Sequence, residues 1–170
     1  FMSYYNPIFS FGLESFCHAS VKAGIDGLII PDLPPEEGAE LETVTKRHGI
    51  DLIYLLAPTS TDERIKLVAE RSRGFIYLVS VSGVTGAREH LPSGLSSFIA
   101  RVRKIASQPL CVGFGISTAG QVRQLATVVD GVIVGSRLIQ LIDEDATLAS
   151  LAAFTSSLRE ALNQHKKVVN

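Results

Sequence analysis

The sequence has few of the residue patterns that build metal centres, nucleic-acid surfaces or membrane spans. Cys17 and Cys111 are its only cysteines, and neither has the spacing to another Cys or a His that zinc sites show. Sixteen Lys and Arg nearly balance seventeen Asp and Glu, so the net charge of −1 creates no field that attracts nucleic acid or anionic membrane. No run approaches the roughly 18 apolar residues of a membrane span. We therefore expect no metal, nucleic acid or membrane, and free thiols in a reducing cytoplasm.

Several catalytic motifs are also missing. No G-x-x-x-x-G-K-[ST] pattern occurs, which excludes a P-loop for nucleoside triphosphates. Position 118 is Thr where a dinucleotide fingerprint needs its third glycine. Nothing resembles a nucleophile elbow, and His90 has no acid or nucleophile partner nearby in the sequence.

The chain is rich in short apolar runs bounded by Gly, Pro or Asp. Of its 170 residues, 46% are hydrophobic and 19% charged, which suits one domain with buried strands. The runs lack strict polar alternation, so we predict parallel strands that are covered on both faces. The predicted strands are Met2–Tyr5, Gly27–Ile30, Asp51–Leu56, Phe75–Val79, Leu110–Gly113 and Gly131–Val134.

Helical patterns alternate with these strands. The predicted helices are Gly12–Ala23, Pro35–His48, one that follows Ser60–Glu63, then Leu95–Ala106, Ala119–Thr127 and Ala146–Gln164. Such alternation predicts an α/β fold, either an open doubly wound sheet or a closed eightfold barrel. A barrel typically has about 250 residues, so about 80 would be missing here. The abrupt start at Phe1 agrees with that expectation.

Two strand ends carry glycines before helix-like sequence. They are Val112–Ser117, with Gly113 and Gly115, and Val132–Arg137, with Gly135 and Ser136. Glycine lets backbone N–H groups approach an anion, and a helix N-terminus adds partial positive charge. Two such ends on the last strands of a barrel predict a phosphate site. A tight turn alone is the alternative for the first of them.

Three further features lie in predicted strands or at their ends. A loop of small residues, Ser80–Ala87, has glycines that allow hinged closure over a ligand, or it is an ordinary connection. Asp32 is the one carboxylate placed at a strand's carboxyl end, where it lines a site or caps a helix. Tyr77 lies within a strand, and alternation does not choose the face to which it points.

As a set, the motifs of this chain resemble the alpha subunit of tryptophan synthase, from the third barrel strand to the C-terminus. The resemblance implies the C-terminal part, about strands 3 to 8, of one (β/α)8 TIM-barrel domain that lacks the first two β/α units. The matching segments are Tyr4–Phe9, Gly27–Pro34, Phe75–Ser80, Ser82–Ala87, Gly113–Ser117 and Gly131–Ser136.

The resemblance also implies a lyase reaction and a division of roles. The family cleaves indole-3-glycerol phosphate to indole and glyceraldehyde 3-phosphate by a retro-aldol step. Its catalytic Glu and Asp correspond to positions upstream of Phe1, so this chain has no catalytic residue of its own and is expected to be inactive alone. The residues implied to bind substrate are Gly86, Gly113, Phe114, Gly115, Gly135 and Ser136 at the phosphate, Tyr4, Asp32 and Tyr77 at the indole and glycerol, and Thr85 in the mobile loop.

A partner follows from the same resemblance. The rim near Asn6 and Pro34 would face the beta subunit of an α2β2 heterotetramer. Pyridoxal phosphate would belong to that subunit, and no cofactor to this chain. The alternatives are a free-standing indole-3-glycerol-phosphate lyase and a non-catalytic sugar-phosphate-binding module.

Overall fold

A computed structural model of the chain describes residues 1–80, 94–113 and 115–163. These residues form two compact units. The first contains Phe1–Leu56, Ser60–Tyr77 and Ile105–Gln108. The second contains Ala57–Thr59 and the described residues of Leu78–Lys104 and Pro109–Asn170. The expectation of a single domain without its first two β/α units stays a prediction.

The first unit alternates helices with short parallel strands. Leu28 and Leu52 are buried at the centre of paired strands, whose register runs from Gly27 opposite Asp51 to Ile29 opposite Ile53. The elements are α1 (Tyr5–Phe11), α2 (Leu13–Lys22), β1 (Gly27–Ile29), a 3-10 helix (Pro35–Glu37), α3 (Ala39–His48), β2 (Asp51–Ile53), β3 (Leu55–Leu56), α4 (Asp62–Arg71) and the start of β4 (Ile76–Val79). The parallel pairing confirms the interpretation of apolar runs as buried parallel strands.

The predicted strand Met2–Tyr5 is wrong beyond its first residue. Met2 forms an isolated parallel bridge with Ile29, and Tyr5 already begins α1. The reason is a distant acceptor: the Tyr5 N–H donates to both carboxylate oxygens of Asp32, at 2.9 and 3.2 Å. A carboxylate at a helix N-terminus satisfies an otherwise unpaired donor and complements the helix dipole.

The predicted strand Asp51–Leu56 is interrupted at Tyr54. The Tyr54 backbone N–H donates to the Ser72 hydroxyl at 3.1 Å, and not to a carbonyl of a neighbouring strand. The buried ring places its own hydroxyl 2.6 Å from the carboxylate of Glu42, to which it donates. Desolvation and this carboxylate both raise the pKa of Tyr54. The phenol therefore remains a hydrogen-bond donor at neutral pH.

The predicted helix Pro35–His48 is divided at Gly38, where the same hydroxyl leaves no room for a side chain. Gly38 separates the 3-10 helix from α3, and a Cβ built on Gly38 would lie 1.8 Å from the Tyr54 hydroxyl. The Arg71 guanidinium donates to the Pro35 carbonyl and lies 3.6 Å from Glu42. These contacts hold the segment that follows β1 against the end of α4.

The second unit has the same alternation. Its elements are the end of β4, α5 (Leu95–Arg103), β5 (Leu110–Gly113), α6 (Ala119–Leu125), β6 (Gly131–Ile133), α7 (Ser136–Glu144) and α8 (Ala149–Asn163). The bounds of β5 are those predicted. Helix α8 begins later than the predicted Ala146 because the Asp145 carboxylate accepts the backbone N–H groups of Thr147 and Ser150, at 2.9 and 3.0 Å. This carboxylate turn satisfies the donors that would otherwise start the helix earlier.

Helix α6 packs against α8 on the second unit's core. Val122 is fully buried, and Leu158 is nearly so. At the amino end of β5, the Leu110 N–H donates to the Asp130 carboxylate at 2.8 Å, and that carboxylate also lies 2.5 Å from the Arg103 guanidinium. Within the part of the chain described, no helix has both the length and the apolar character to cross a membrane.

Gly38→Ala should destabilise the protein by about 1–3 kcal/mol, the usual cost of overpacking. The added methyl group would collide with the Tyr54 hydroxyl, whereas the backbone at Gly38 (φ −77°) suits any residue. Urea unfolding of Gly38→Ala in the native and in the Tyr54→Phe backgrounds measures the collision. We expect a smaller loss with Phe at position 54. Gly120→Ala, whose Cβ would meet nothing closer than 3.7 Å, is the control and should not destabilise. Equal losses in both backgrounds would contradict the explanation.

Asp32→Ala should cost about 1 kcal/mol, because α1 loses the acceptor of its first N–H. Asp32→Asn keeps one oxygen and should cost less. Amide hydrogen exchange at Tyr5 reports the contact directly: exchange should be fastest in Asp32→Ala and intermediate in Asp32→Asn. Asp143→Ala, at an exposed position of α7, serves as the control and should leave Tyr5 exchange unchanged. An unchanged rate in Asp32→Ala would refute the capping role.

Candidate functional site

The two glycine-bearing strand ends are brought side by side by the register of β5 and β6. The strands are parallel, with Cys111 opposite Gly131 and Gly113 opposite Ile133. Gly115 and Gly135 each follow the last of these pairs by two residues. Neighbouring strands lie about 4.8 Å apart. Because the two strands are parallel, both glycines extend from the same carboxyl edge of the sheet. This is the edge at which α/β barrels place their ligands.

The turn after β5 depends on the glycine at position 115. Its φ of +75° lies in the left-handed region, where a side chain would be strained. Gly115 is exposed, whereas the following Ile116 is 5% exposed and anchors the turn in the core. At Gly115 the chain therefore exposes backbone that no side chain covers from the same residue.

The second strand end leads directly into a helix. Gly135 is the N-cap of α7 and Ser136 its first residue, and both are exposed. No side chain caps this end, and the first turn holds no acidic residue. The first N–H groups of a helix have no partner within the helix and carry partial positive charge. A Cβ built on Gly135 would meet no atom within 4 Å, so the space beside this helix end is open.

A third strand end adjoins Gly113. The Ser80 N–H donates to the Gly113 carbonyl at 3.0 Å, and Ser80 is buried. The small-residue loop therefore starts beside β5. Its predicted substrate residues Thr85 and Gly86 lie outside the described residues, and so does Phe114.

The other predicted substrate residues belong to the first unit. Tyr4 is 68% exposed and precedes Tyr5, whose N–H binds the Asp32 carboxylate, so Tyr4 and Asp32 are neighbours. Tyr77 is buried, and its N–H donates to the Tyr54 carbonyl at 3.1 Å. Burial raises the pKa of Tyr77 to about 12, so its phenol keeps its proton and can donate a hydrogen bond. The binding roles of these three residues stay predictions.

One polar residue near the turn after β5 was not selected from the sequence. Gln121 is 2% exposed, and its side chain contacts the backbone of Gly115, Ser117 and Thr118. The sequence signal was present, because Thr118-x-x-Gln121 is a capping-box pattern at the start of α6.

Among the described residues, no group of three or more His, Cys, Asp or Glu side chains is placed to hold a metal ion. Both cysteines are free thiols, of which Cys17 is buried and Cys111 is half-buried. Burial raises the pKa of Cys111 to about 11, so its thiol is protonated and unreactive at neutral pH. What the strand ends present is backbone N–H and small hydroxyl groups, which are donors suited to an anion.

Known proteins match the chain along its whole length. The family model described as "Tryptophan synthase alpha chain" matches residues 1–170. The tryptophan synthase alpha chain of Dehalococcoides mccartyi is 58% identical over 163 residues, which cover 96% of this chain and 64% of the relative. The tryptophan synthase alpha chain of Geobacter sulfurreducens is 50% identical over 165 residues, which cover 95% of this chain and 62% of the relative.

Solved structures of tryptophan synthase are similar to this chain in fold. A tryptophan synthase structure from Mycobacterium tuberculosis superposes with a TM-score of 0.86 at 39% identity, over 95% of this chain and 61% of the other. The tryptophan synthase subunit alpha of Legionella pneumophila gives a TM-score of 0.81 at 36% identity, over 96% and 62%.

The chain spans less than two thirds of the length of these relatives. The prediction of an α/β TIM-barrel fold, of which this chain forms a part, is confirmed. The open doubly wound sheet is thereby excluded. The chain belongs to the tryptophan synthase alpha chain family.

Proposed function

We propose that this chain supplies the substrate-phosphate site of a tryptophan synthase alpha chain. The reaction is the retro-aldol cleavage of indole-3-glycerol phosphate to indole and glyceraldehyde 3-phosphate, in tryptophan biosynthesis. The observation that carries the proposal is the pairing of β5 with β6, which sets Gly115 beside the uncapped start of α7. Family membership supplies the identity of the phosphate ester.

The phosphate would be held by Gly113, Gly115, Gly135 and Ser136, with Gly86 and Phe114 from the segments outside the described residues. Backbone N–H groups at the start of α7 donate to its oxygens, and the Ser136 hydroxyl adds a further donor. The absence of acid from the first turn of α7 leaves the helix dipole free to favour an anion. Arg137, the second residue of α7, adds a positive charge to this end, although its guanidinium lies 3.3 Å from the Glu144 carboxylate.

The indole and glycerol part would lie against Tyr4, Asp32 and Tyr77, and Thr85 would act in the loop that closes over it. Cleavage breaks the bond between the indole ring carbon and the glycerol carbon that bears the adjacent hydroxyl. One group must take the proton of that hydroxyl, and another must protonate the ring carbon. The family resemblance assigns these tasks to a Glu and an Asp that have no counterpart in residues 1–170, and it implies no cofactor.

A partner is part of the same proposal. The rim residues Asn6 and Pro34 would face a beta subunit in an α2β2 heterotetramer. Asn6 is exposed, and Pro34 immediately precedes the 3-10 helix held by Arg71 and Arg64. A rim segment that is fixed before binding lowers the ordering cost of association.

Glycerol 3-phosphate should bind saturably to the chain, whereas glycerol should not. Ser136→Ala should weaken binding about tenfold, the effect of removing one hydrogen bond to a charged group. Ser136→Asp should abolish binding by like-charge repulsion while stabilising α7 by about 0.5 kcal/mol through the helix dipole. Isothermal titration and thermal melting measure the two effects.

Ser156→Asp is the matched control, since it adds the same charge on an exposed position of α8. It should bind glycerol 3-phosphate as the native chain does. Undiminished binding by Ser136→Asp, or no binding by the native chain, would refute the phosphate site.

The 170-residue chain should release no indole from indole-3-glycerol phosphate above a blank without protein. It holds the binding groups but not the acid–base pair that the reaction requires. A fluorescence assay for indole, with the chain at micromolar concentration, tests this directly. Turnover that disappears in Ser136→Asp would show that residues 1–170 contain catalytic groups after all.

A further inference from the structure

We propose that Gln121 is a positioning residue for substrate phosphate, which fixes the backbone of the turn after β5. The inference rests on the proposed function and extends it to a residue that touches no part of the substrate. Gln121 lies beneath the turn, in the first part of α6, and is 2% exposed.

The Gln121 carboxamide binds consecutive parts of the turn. Its oxygen accepts the backbone N–H groups of Ser117 and Thr118, at 2.8 and 3.1 Å. The same oxygen lies 3.5 and 3.3 Å from the hydroxyls of these two residues. Its nitrogen donates to the carbonyl of Gly115 at 3.4 Å. One side chain thus ties the whole stretch from residue 115 to residue 118 to the helix that follows.

These contacts exceed what capping the helix requires. In a capping box the N3 side chain accepts the N-cap N–H, which here is that of Thr118. In addition to that bond, the oxygen accepts a shorter hydrogen bond from the Ser117 N–H, and the amide nitrogen reaches back to Gly115. Capping alone needs only an acceptor. The amide nitrogen of Gln121 is not needed for capping, and it binds the turn at the Gly115 carbonyl.

The donor half has a specific consequence for an anion. A carbonyl oxygen directed at a phosphate would repel it, and the Gly115 carbonyl is held toward Gln121. Because C=O and N–H point in opposite directions in a trans peptide, the Ile116 N–H faces away from Gln121. No acceptor for this N–H occurs among the described residues. The carboxamide therefore orients the peptide so that its donor side is available to the ligand.

Two substitutions separate positioning from stability. Gln121→Met keeps the volume and removes every hydrogen bond. Gln121→Glu keeps the acceptor for the two N–H groups but loses the donor to Gly115 and adds a negative charge. Val122→Ala is the matched control, because Val122 is the fully buried neighbour on α6 and its truncation destabilises the helix without touching the turn.

The measurement is the Kd of glycerol 3-phosphate for the full chain, with the melting temperature of each variant. We expect both Gln121 variants to bind about tenfold more weakly, as when a supporting hydrogen-bond shell is removed. Val122→Ala should bind within about twofold of the native chain at an equal or larger loss of melting temperature, because it leaves the turn intact. In the native chain, the amide NMR signals of Gly115, Ile116 and Ser117 should shift on ligand addition.

Every outcome is decisive. Native-like affinity in Gln121→Glu or Gln121→Met overturns the positioning role and leaves the phosphate site standing. So does a loss in Val122→Ala that matches theirs, and so does the absence of any shift at these three amides in a native chain that binds ligand. If Gln121→Met does not fold, Gln121→Glu decides alone. A native chain that binds no glycerol 3-phosphate overturns the proposed function, and this inference with it.

Discussion

The parallel pairing of β5 with β6 is the constraint on which the candidate site depends. It is a backbone interaction between β5, whose Leu110 and Val112 are buried, and the half-buried strand β6. A register shift by one residue would break the pairing of Val112 with Val132 and would change the spacing of Gly115 and Gly135. The energy that holds the strands together therefore also sets the spacing of the donors for an anion.

Backbone geometry, more than side-chain chemistry, defines the proposed phosphate site. Gly115 needs its left-handed φ, and α7 starts at Gly135 without a capping side chain. Some other helices of the chain place acid or a side-chain acceptor at this point, as Thr61 does for α4, whereas α5 lacks both, as α7 does. A helix end that lacks both leaves its donors for another acceptor. What sets α7 apart in the proposed site is the place of its free donors, at the strand end beside the one that carries Gly115.

The sequence predicted correctly those strands and helices that local patterns of residues determine. The strand Leu110–Gly113, the glycines after it and most helices follow from apolar runs, turn residues and spacing. The predictions from sequence were wrong where a residue distant in the chain determines the local structure. Tyr5 is helical because Asp32 accepts its N–H, and Tyr54 leaves the strand because the Ser72 hydroxyl accepts the Tyr54 N–H. Gln121 was missed for the same kind of reason. Its pattern indicates a cap, but only the fold shows the carboxamide buried beneath Gly115.

Asp32 illustrates how a residue can serve the fold and remain free for a ligand. Both of its oxygens accept the Tyr5 N–H, yet a carboxylate offers about four lone-pair sites, and Asp32 is exposed. Capping therefore uses some of the lone pairs of the Asp32 carboxylate and holds the remaining ones in a fixed orientation. A side chain that is already held by a helix end loses little further entropy when it binds a hydroxyl. The two interpretations that the sequence left open for Asp32, a helix cap and a binding group, are thus compatible in one geometry.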